Sequence, residues 1–249
     1  MDVKTLAKEL DEALLQKREI APLTKTHGDF TLSEAYKIQE EGLTYRLGRG
    51  EKVVGYKMGL TSAAKREQMN LGQPIYGYLS DTMYVRGKLK VAEGVHPKIE
   101  PEIAFITNRE LHGTITREQA FDALESVFPA LEVLDSRFVG FKYFSLPDVV
   151  ADNCSSWRFI LGAPQKPRDP GGLQMRMSID GKAVQEASSD AISGNPLESL
   201  VQLAALLPKP LPRGSIVLAG AATAAAMLAP GMKIELYIDE LGSMSVETE

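Results

Sequence analysis

The stretch His96-Pro97-Lys98-Ile99-Glu100-Pro101-Glu102-Ile103-Ala104-Phe105 constrains the fold more tightly than any other part of the chain. Side chains alternate between the two faces of a strand. Ile99, Pro101, Ile103 and Phe105 then share an apolar face that must be covered, while Glu100 and Glu102 share the opposite face. Neighbouring same-face carboxylates repel unless a positive charge lies between them. A hard divalent cation meets that need through oxygen ligands, and magnesium, calcium or manganese all suit them. A solvated strand face with both glutamates in water meets it too. Pro101 has no N–H for a ladder, so the strand is expected at a sheet edge or interrupted there.

Around this stretch the pattern is one of many strands with interspersed helices. Val3, Leu6, Leu10, Ala13 and Leu14 recur at helical spacing over 3–17, with Asp2 as N-cap. Residues 18–30 read as a loop. Thr31-Leu32-Ser33-Glu34 is a capping box that starts a second helix ending at Gly48. Lys52 to Gly59 reads as a buried strand in which Lys57, between Gly55 and Gly59, either snorkels outward or works inside a site. Ser62 caps a short helix through Met69, and strands are expected near 83–91. Thr116-Arg117-Glu118-Gln119 starts a helix expected to reach Val127, followed by a strand from Phe128 to Phe138. On that strand Glu132 is a lone carboxylate among Phe128, Ala130 and Leu134, placed either at a sheet edge or beside Glu100 and Glu102 as a third ligand. Arg137 can pair with a carboxylate of the protein or of a substrate. A helix is expected over 145–150, then the polar cluster Ala151 to Ser156, a site loop or an Asx turn. Further strands are expected at 157–162, at 173–179 and 183–187 around an Asp180-Gly181 turn, and at 216–219 and 234–238, with a helix from Pro196 to Leu207. Gly220 to Ala226 reads as a loop that lets backbone approach a ligand. Helices that do not alternate strictly with strands indicate α+β.

Composition narrows the function. A net charge of −5 without a basic stripe argues against nucleic acid. No apolar run reaches the length of a membrane span, and the first residues do not read as a signal peptide. The single cysteine, Cys154, excludes an internal disulfide, suits a reducing cytoplasm and reads as a small buried hydrophobe. There is no G-x-S-x-G elbow, Walker loop or dinucleotide fingerprint after a strand, and His27, His96 and His112 lack zinc spacing. His96, before Pro97, reads as a turn residue.

Several motifs occur together in a characteristic order: Gly55-Tyr56-Lys57-Met58-Gly59-Leu60-Thr61-Ser62, His96 to Glu102, Leu131 to Arg137, Val150 to Ser156, and Leu241-Gly242-Ser243. Together they resemble the fumarylacetoacetate hydrolase superfamily over nearly the whole chain. Within it they resemble the branch of 2-hydroxypentadienoate hydratases and 2-oxo-3-hexenedioate decarboxylases from aromatic meta-cleavage pathways. The resemblance implies a mixed β-sandwich roll with an N-terminal helical part, divided into residues 1–80, which contribute Lys57, and a catalytic roll over 81–249. It implies Mg2+ or Mn2+ held by Glu100, Glu102 and Glu132, and catalytic roles for Lys57 and Asp152. Substrate contacts are implied for Leu60, Thr61, Ile75, Arg137, Asn153, Ser155, Ser156 and Thr223, with Asp152 and Asn153 as positioning groups. A homo-oligomer, with a partner hydratase, is implied as well. Two positions depart from the pattern: the Thr-Gly of the late loop is Ala219-Gly220, and the Gly-His-Pro before the late helix is Gly194-Asn195-Pro196.

Within the branch, hydratases carry an acid in Gln-Pro-Asp-Phe-Gly, where this chain has Gln73-Pro74-Ile75-Tyr76-Gly77. An apolar wall suits a decarboxylase, whose departing carboxylate loses its charge as carbon dioxide forms. The reaction so implied is metal-dependent decarboxylation of a 2-oxo dicarboxylate, 2-oxo-3-hexenedioate, to 2-hydroxypenta-2,4-dienoate. Hydration of that dienoate is the alternative. Acylpyruvate hydrolysis would need a general base such as a His–Glu pair, and none is evident near the N-terminal helices. A non-catalytic scaffold would be expected to have lost its ligands or Lys57, and both are retained.

Overall fold

The computed structural model describes residues 2–61, 74–142 and 145–249. The helix expected from Ser62 to Met69 lies outside them. The N-terminal caps form as their sequences dictate. The Asp2 side chain accepts from Lys4 N at the start of α1 (Val3–Gln16), and the reciprocal Thr31–Glu34 box opens α3 (Leu32–Gly48). The stretch expected to be loop between them contains a short helix, α2 (Leu23–His27). Its cause is tertiary: Thr24 donates from its backbone N and its hydroxyl to the buried Asp148 carboxylate, at 3.0 and 2.5 Å.

Two sheets follow. The larger is ordered β2 (Ile75–Ser80), β1 (Val53–Gly59), β8 (Ile216–Ala221), β3 (Lys98–Thr107), β4 (Leu124–Leu134) and β5 (Ser156–Leu161), with β9 (Ala226–Met227) also on β3. The smaller is β11 (Gly242–Glu247), β10 (Lys233–Ile238), β6 (Gln174–Ile179) and β7 (Lys182–Ser188). β1 and β2 therefore share one sheet with the strands beyond residue 80. The larger sheet curls. Its outermost strands approach each other where Val85 N donates to Phe159 O and where Asn153, just before β5, bonds Tyr78 in both directions.

The curl gives the sheet an outer and an inner face. On the outer face Ile99, Ile103, Phe105, Leu131, Val133 and Val217 pack with Met177, Ile234, Leu236 and Ile238 of the smaller sheet. Leu200 and Leu203 of α6 (Pro196–Leu206) join the same core. On the inner face Leu79, Ala104, Phe128, Ala130, Phe159 and Leu218 fill one end of the roll. α1 and α3 close over a third cluster with Phe138, Val149, Val150 and Cys154, the last three contributed by α5 (Leu146–Ala151) and the turn after it. This is the α+β roll with an N-terminal helical part that the resemblance implied.

Several expected boundaries move, each because a long-range contact outweighs a local signal. The helix after Thr116 ends at Asp122 (α4, Arg117–Asp122), and β4 begins at Leu124 rather than Phe128. Residues 124–128 are drawn into the ladder opposite Ala104 to Thr107. β4 also ends at Leu134, not Phe138, because Asp135 turns away to accept from Val95 N and His96 N. The strands expected near 83–91 are two 3₁₀ turns, Asp81–Met83 and Val91–Glu93, joined by isolated bridges to Phe159 and Thr248. β8 runs on to Ala221 and β9 starts at Ala226, so the late loop is shorter than expected. β11 has no counterpart among the expected strands. Pro101 lies in a central strand, not at an edge. Pairing on one side of β3 lapses there, between Ile99↔Ala226 and Glu102↔Ala221.

Candidate metal centre

The register of β3 on β4 builds the site. Glu100 and Glu132 are direct cross-strand partners and Glu102 lies opposite Ala130, so all three carboxylates point into the roll. One oxygen from each lies within 4.8 Å of the others, and their side chains are buried. Lys57 reaches the group through a longer chain of pairings, β1 on β8 and β8 on β3, and its Nζ lies 3.0 Å from Glu132 Oε2. Gly55 allows that approach, since a Cβ there would sit 1.8 Å from the Ile216 carbonyl oxygen.

The charge balance of this cluster is incomplete. Three carboxylates against one ammonium leave two negative charges in a buried site. Burial, then Glu132 and Glu100, push the Glu102 carboxyl well above the usual range. Burial disfavours the Lys57 ammonium, yet Glu132 and Glu100 together hold it above its ordinary value. Glu102 Oε1 and Glu132 Oε1 are buried with no hydrogen-bond partner among the described residues. Unpaired buried oxygens of this kind are costly unless something positive meets them. A divalent cation supplies both the missing charge and the missing partner, so these residues fit Mg2+ or Mn2+ as ligands. Glu102 is aimed by its other oxygen, which accepts from Gly220 N at 2.9 Å. Gly220 has φ +103°, and a Cβ on it would lie 2.5 Å from Thr61 Oγ1. In the sequence Gly220 opened a loop expected to let backbone approach a ligand; here its backbone N–H instead orients the protein's own Glu102.

A cavity of about 170 Å³ opens beside the cluster, lined by Lys57, Glu100, Leu60, Thr61, Ile75, Leu134, Val149 and Cys154 among others. Of the residues assigned to substrate, Leu60, Thr61 and Ile75 are in this lining. Arg137 and Asp152 are not, and they pair with each other. Arg137 Nε donates to Asp152 Oδ1 at 2.5 Å and its second nitrogen to the Asp152 carbonyl at 2.8 Å. Burial pushes the Asp152 carboxyl up to about 6 against the pull of Arg137. Asn153 is occupied in clamping Tyr78. Ser155 accepts from Asp135 N through its carbonyl, and Ser156 Oγ faces Met83 Sδ at 3.9 Å. Thr223 lies in the short loop between β8 and β9.

These residues nevertheless shape the pocket indirectly. Asn153, Cys154 and Ser155 all have positive φ, an unusual run for residues other than glycine. The clamp on Tyr78 and the Arg137–Asp152 pair hold that turn, which places Cys154 in the pocket wall. Gln39 of α3, which sequence reading passed over, joins them by donating to Tyr76 O and Val150 O, both at 3.0 Å. A single glutamine among Ala35 and Ile38 on the buried side of a helix was its only signal. Burial pushes the Cys154 thiol up to about 12, which makes it an inert wall residue.

Comparison with known proteins identifies the family. Residues 52–248 match the fumarylacetoacetate (FAA) hydrolase C-terminal family model. A 4-oxalocrotonate decarboxylase of Pseudomonas sp is 44% identical, covering 100% of this chain and 98% of the relative. A 2-hydroxyhexa-2,4-dienoate hydratase of Comamonas testosteroni is 34% identical over 98% of this chain and 97% of its own. The solved 4-oxalocrotonate decarboxylase from Pseudomonas putida G7, complexed with magnesium and adipate, superposes with a TM-score of 0.95 at 37% identity, covering 99% of this chain and 97% of that one.

Proposed function

This chain belongs to the fumarylacetoacetate hydrolase family, and on that premise we propose that it is a carboxy-lyase converting 2-oxo-3-hexenedioate (4-oxalocrotonate) to 2-hydroxypenta-2,4-dienoate and carbon dioxide. The observation that carries the reading is the buried Glu100–Glu102–Glu132 cluster with Lys57 against it, opening on a pocket whose facing wall is apolar.

Magnesium or manganese held by the three glutamates supplies a Lewis acid for a chelating 2-oxo acid and for negative charge arising on its C2 oxygen. Breaking the C5–C6 bond releases carbon dioxide and sends the electron pair into a new C4–C5 double bond. The C3–C4 double bond then shifts to C2–C3, and charge collects on the C2 oxygen. Lys57 is kept protonated by its acidic neighbours, so its Nζ donates a hydrogen bond to that oxygen as the charge develops. Leu60, Ile75, Leu134 and Val149 keep water from the carbon chain. No bond in this sequence needs a covalent nucleophile, and the neutral Cys154 offers none.

Hydration of the dienoate is the second reading, favoured by the similarity to hydratases. It calls for an acid near the distal carbons to deliver a proton. Among the described residues the pocket lining has no carboxylate outside the metal cluster, and Ile75 stands where hydratases of this branch carry their acid. Arg137, Asp152, Asn153, Ser155 and Ser156 support the pocket wall in this proposal, and Thr223 borders the site. A homo-oligomer, a partner hydratase and a cytoplasmic setting belong to the same proposal, the last suited to a lone buried thiol. The test is incubation of the purified protein with Mg2+ and each substrate separately, following carbon dioxide and 4-hydroxy-2-oxopentanoate. Rapid carbon dioxide release from the enedioate with little hydration of the dienoate is expected. Rapid hydration without decarboxylation would overturn the assignment.

A further inference from the structure

Lys98 opens β3 two residues before Glu100 and on the same face. Its cross-strand partner is Leu134, which lines the pocket next to Glu100. Lys98 therefore stands at the rim of the pocket, one step outward from the metal cluster. Its Nζ lies 3.9 Å from the centroid of the Phe141 ring, in the 3₁₀ turn that follows β4. Among the described residues no carboxylate pairs with it, although the chain has 33 acidic residues to 28 basic ones. An ammonium half-covered by an aromatic ring and lacking a counter-ion is a vacant anion contact.

The pocket explains what anion would be needed there. A divalent cation cancels the two surplus negative charges of the cluster, which leaves the inside of the site neutral. A 2-oxo acid bound at that cation has its first carboxylate and oxo group satisfied, but a second carboxylate at the far end has no counter-charge in the apolar lining. Two residues of strand advance about 6.7 Å, and an extended six-carbon chain spans roughly 6 Å between its terminal carbons, given C–C bonds of about 1.5 Å. The far end of such a molecule held at Glu100 thus falls at the next same-face position.

We infer that Lys98 binds the far carboxylate of a dicarboxylic 2-oxo acid and so selects diacids over monoacids. This rests on the metal-dependent 2-oxo acid reading given above. It also moves the departing carboxylate from the Ile75 wall, suggested by the sequence, to the rim, leaving Ile75 against the carbon chain. A contact to the ground-state carboxylate weakens as that group becomes neutral carbon dioxide, so Lys98 serves capture more than bond breaking. It is a specificity-determining residue, distinct in role from Lys57.

Calorimetry on the Mg2+-loaded protein separates these points, using 2-oxoadipate and 2-oxohexanoate, which differ only in the second carboxylate. Wild type is expected to bind the diacid about tenfold more tightly, the size of one charged hydrogen bond. Lys98→Met should lose that preference while binding 2-oxohexanoate as wild type does, and Lys98→Arg should keep most of it. With the enedioate substrate Lys98→Met should raise KM by about the same factor and leave kcat within about twofold. An undiminished diacid preference in Lys98→Met, or an equal loss for both acids, overturns the inference. Wild type binding both acids equally overturns it while leaving the 2-oxo acid reading intact, whereas wild type binding neither removes both.

Discussion

Lys57 carries a charge with only 3% of its surface exposed, and the groups that keep it charged are the ones expected to hold the metal. Replacing it with methionine keeps the length and apolar stem but removes the donor. In the Mg2+-loaded protein the cation still offsets two of the three carboxylate charges, so Lys57→Met should fold with a normal melting transition and lose about 10²-fold or more in kcat, the scale of one preorganised donor. Stopped turnover assays beside thermal unfolding check this, and near-normal kcat would reduce Lys57 to a structural counter-ion. Glu102 makes the complementary case. Glu102→Gln preserves shape and the contact to Gly220 but removes one of the charges, so Mg2+ affinity and turnover should both fall severely. Full turnover by that variant, or by wild type in excess chelator, would remove the metal assignment.

At the scale of elements, the site depends on how closely β8 and the segment after β1 approach. Gly220 has no room for a side chain, adopts a positive φ and delivers the N–H that orients Glu102. Gly220→Ala forces Thr61 aside and strains the backbone. A loss of about 1–3 kcal/mol in stability is expected from such strain, together with weaker Mg2+ binding than an equally destabilising change elsewhere would cause. Chemical denaturation and metal titration on the same variant distinguish the two effects. If affinity is unchanged, Gly220 is needed for packing alone. The turn between α5 and β5 shows the same logic without glycine: Asn153, Cys154 and Ser155 tolerate positive φ because the Tyr78 clamp and the Arg137–Asp152 pair hold them.

For the whole molecule, the metal is expected to be part of the stability of the fold. The Glu102 carboxyl is raised in the folded protein, first by burial and then by Glu132 and Glu100. A group raised on folding contributes stability that is present below its unfolded pKa of about 4.3 and is lost as pH rises through its folded value. Metal-free protein should therefore weaken through this group as pH rises from about 4.3 upward. Mg2+ binding displaces the proton, so its stabilisation should grow over the same range. Melting curves in chelator and in excess Mg2+ at about pH 5.5 and pH 8 test this. An equal metal-induced shift at both values would show that Glu102 is already ionised without metal. Among the described residues no helix is long and apolar enough to cross a membrane.

Local periodicity was enough to read much of this protein from its sequence. The two-residue repeat put Glu100 and Glu102 on one face and marked Glu132 as an acid on an apolar strand, and the capping boxes at Thr31 and Thr116 fixed where helices start. Where elements stop was less legible, because the end of α4 and the start of β4 follow from pairing with β3, and β11 from pairing with β10. Sequence motifs also brought Lys57 and the glutamates into one expected site. The partnership of Lys57 with Glu132 depends on the register of four strands, which no local spacing encodes. Arg137 shows the division most plainly. Its need for a carboxylate was evident from its chemistry, but the choice of Asp152 over a substrate was made by burial, which places both charges where each must satisfy the other.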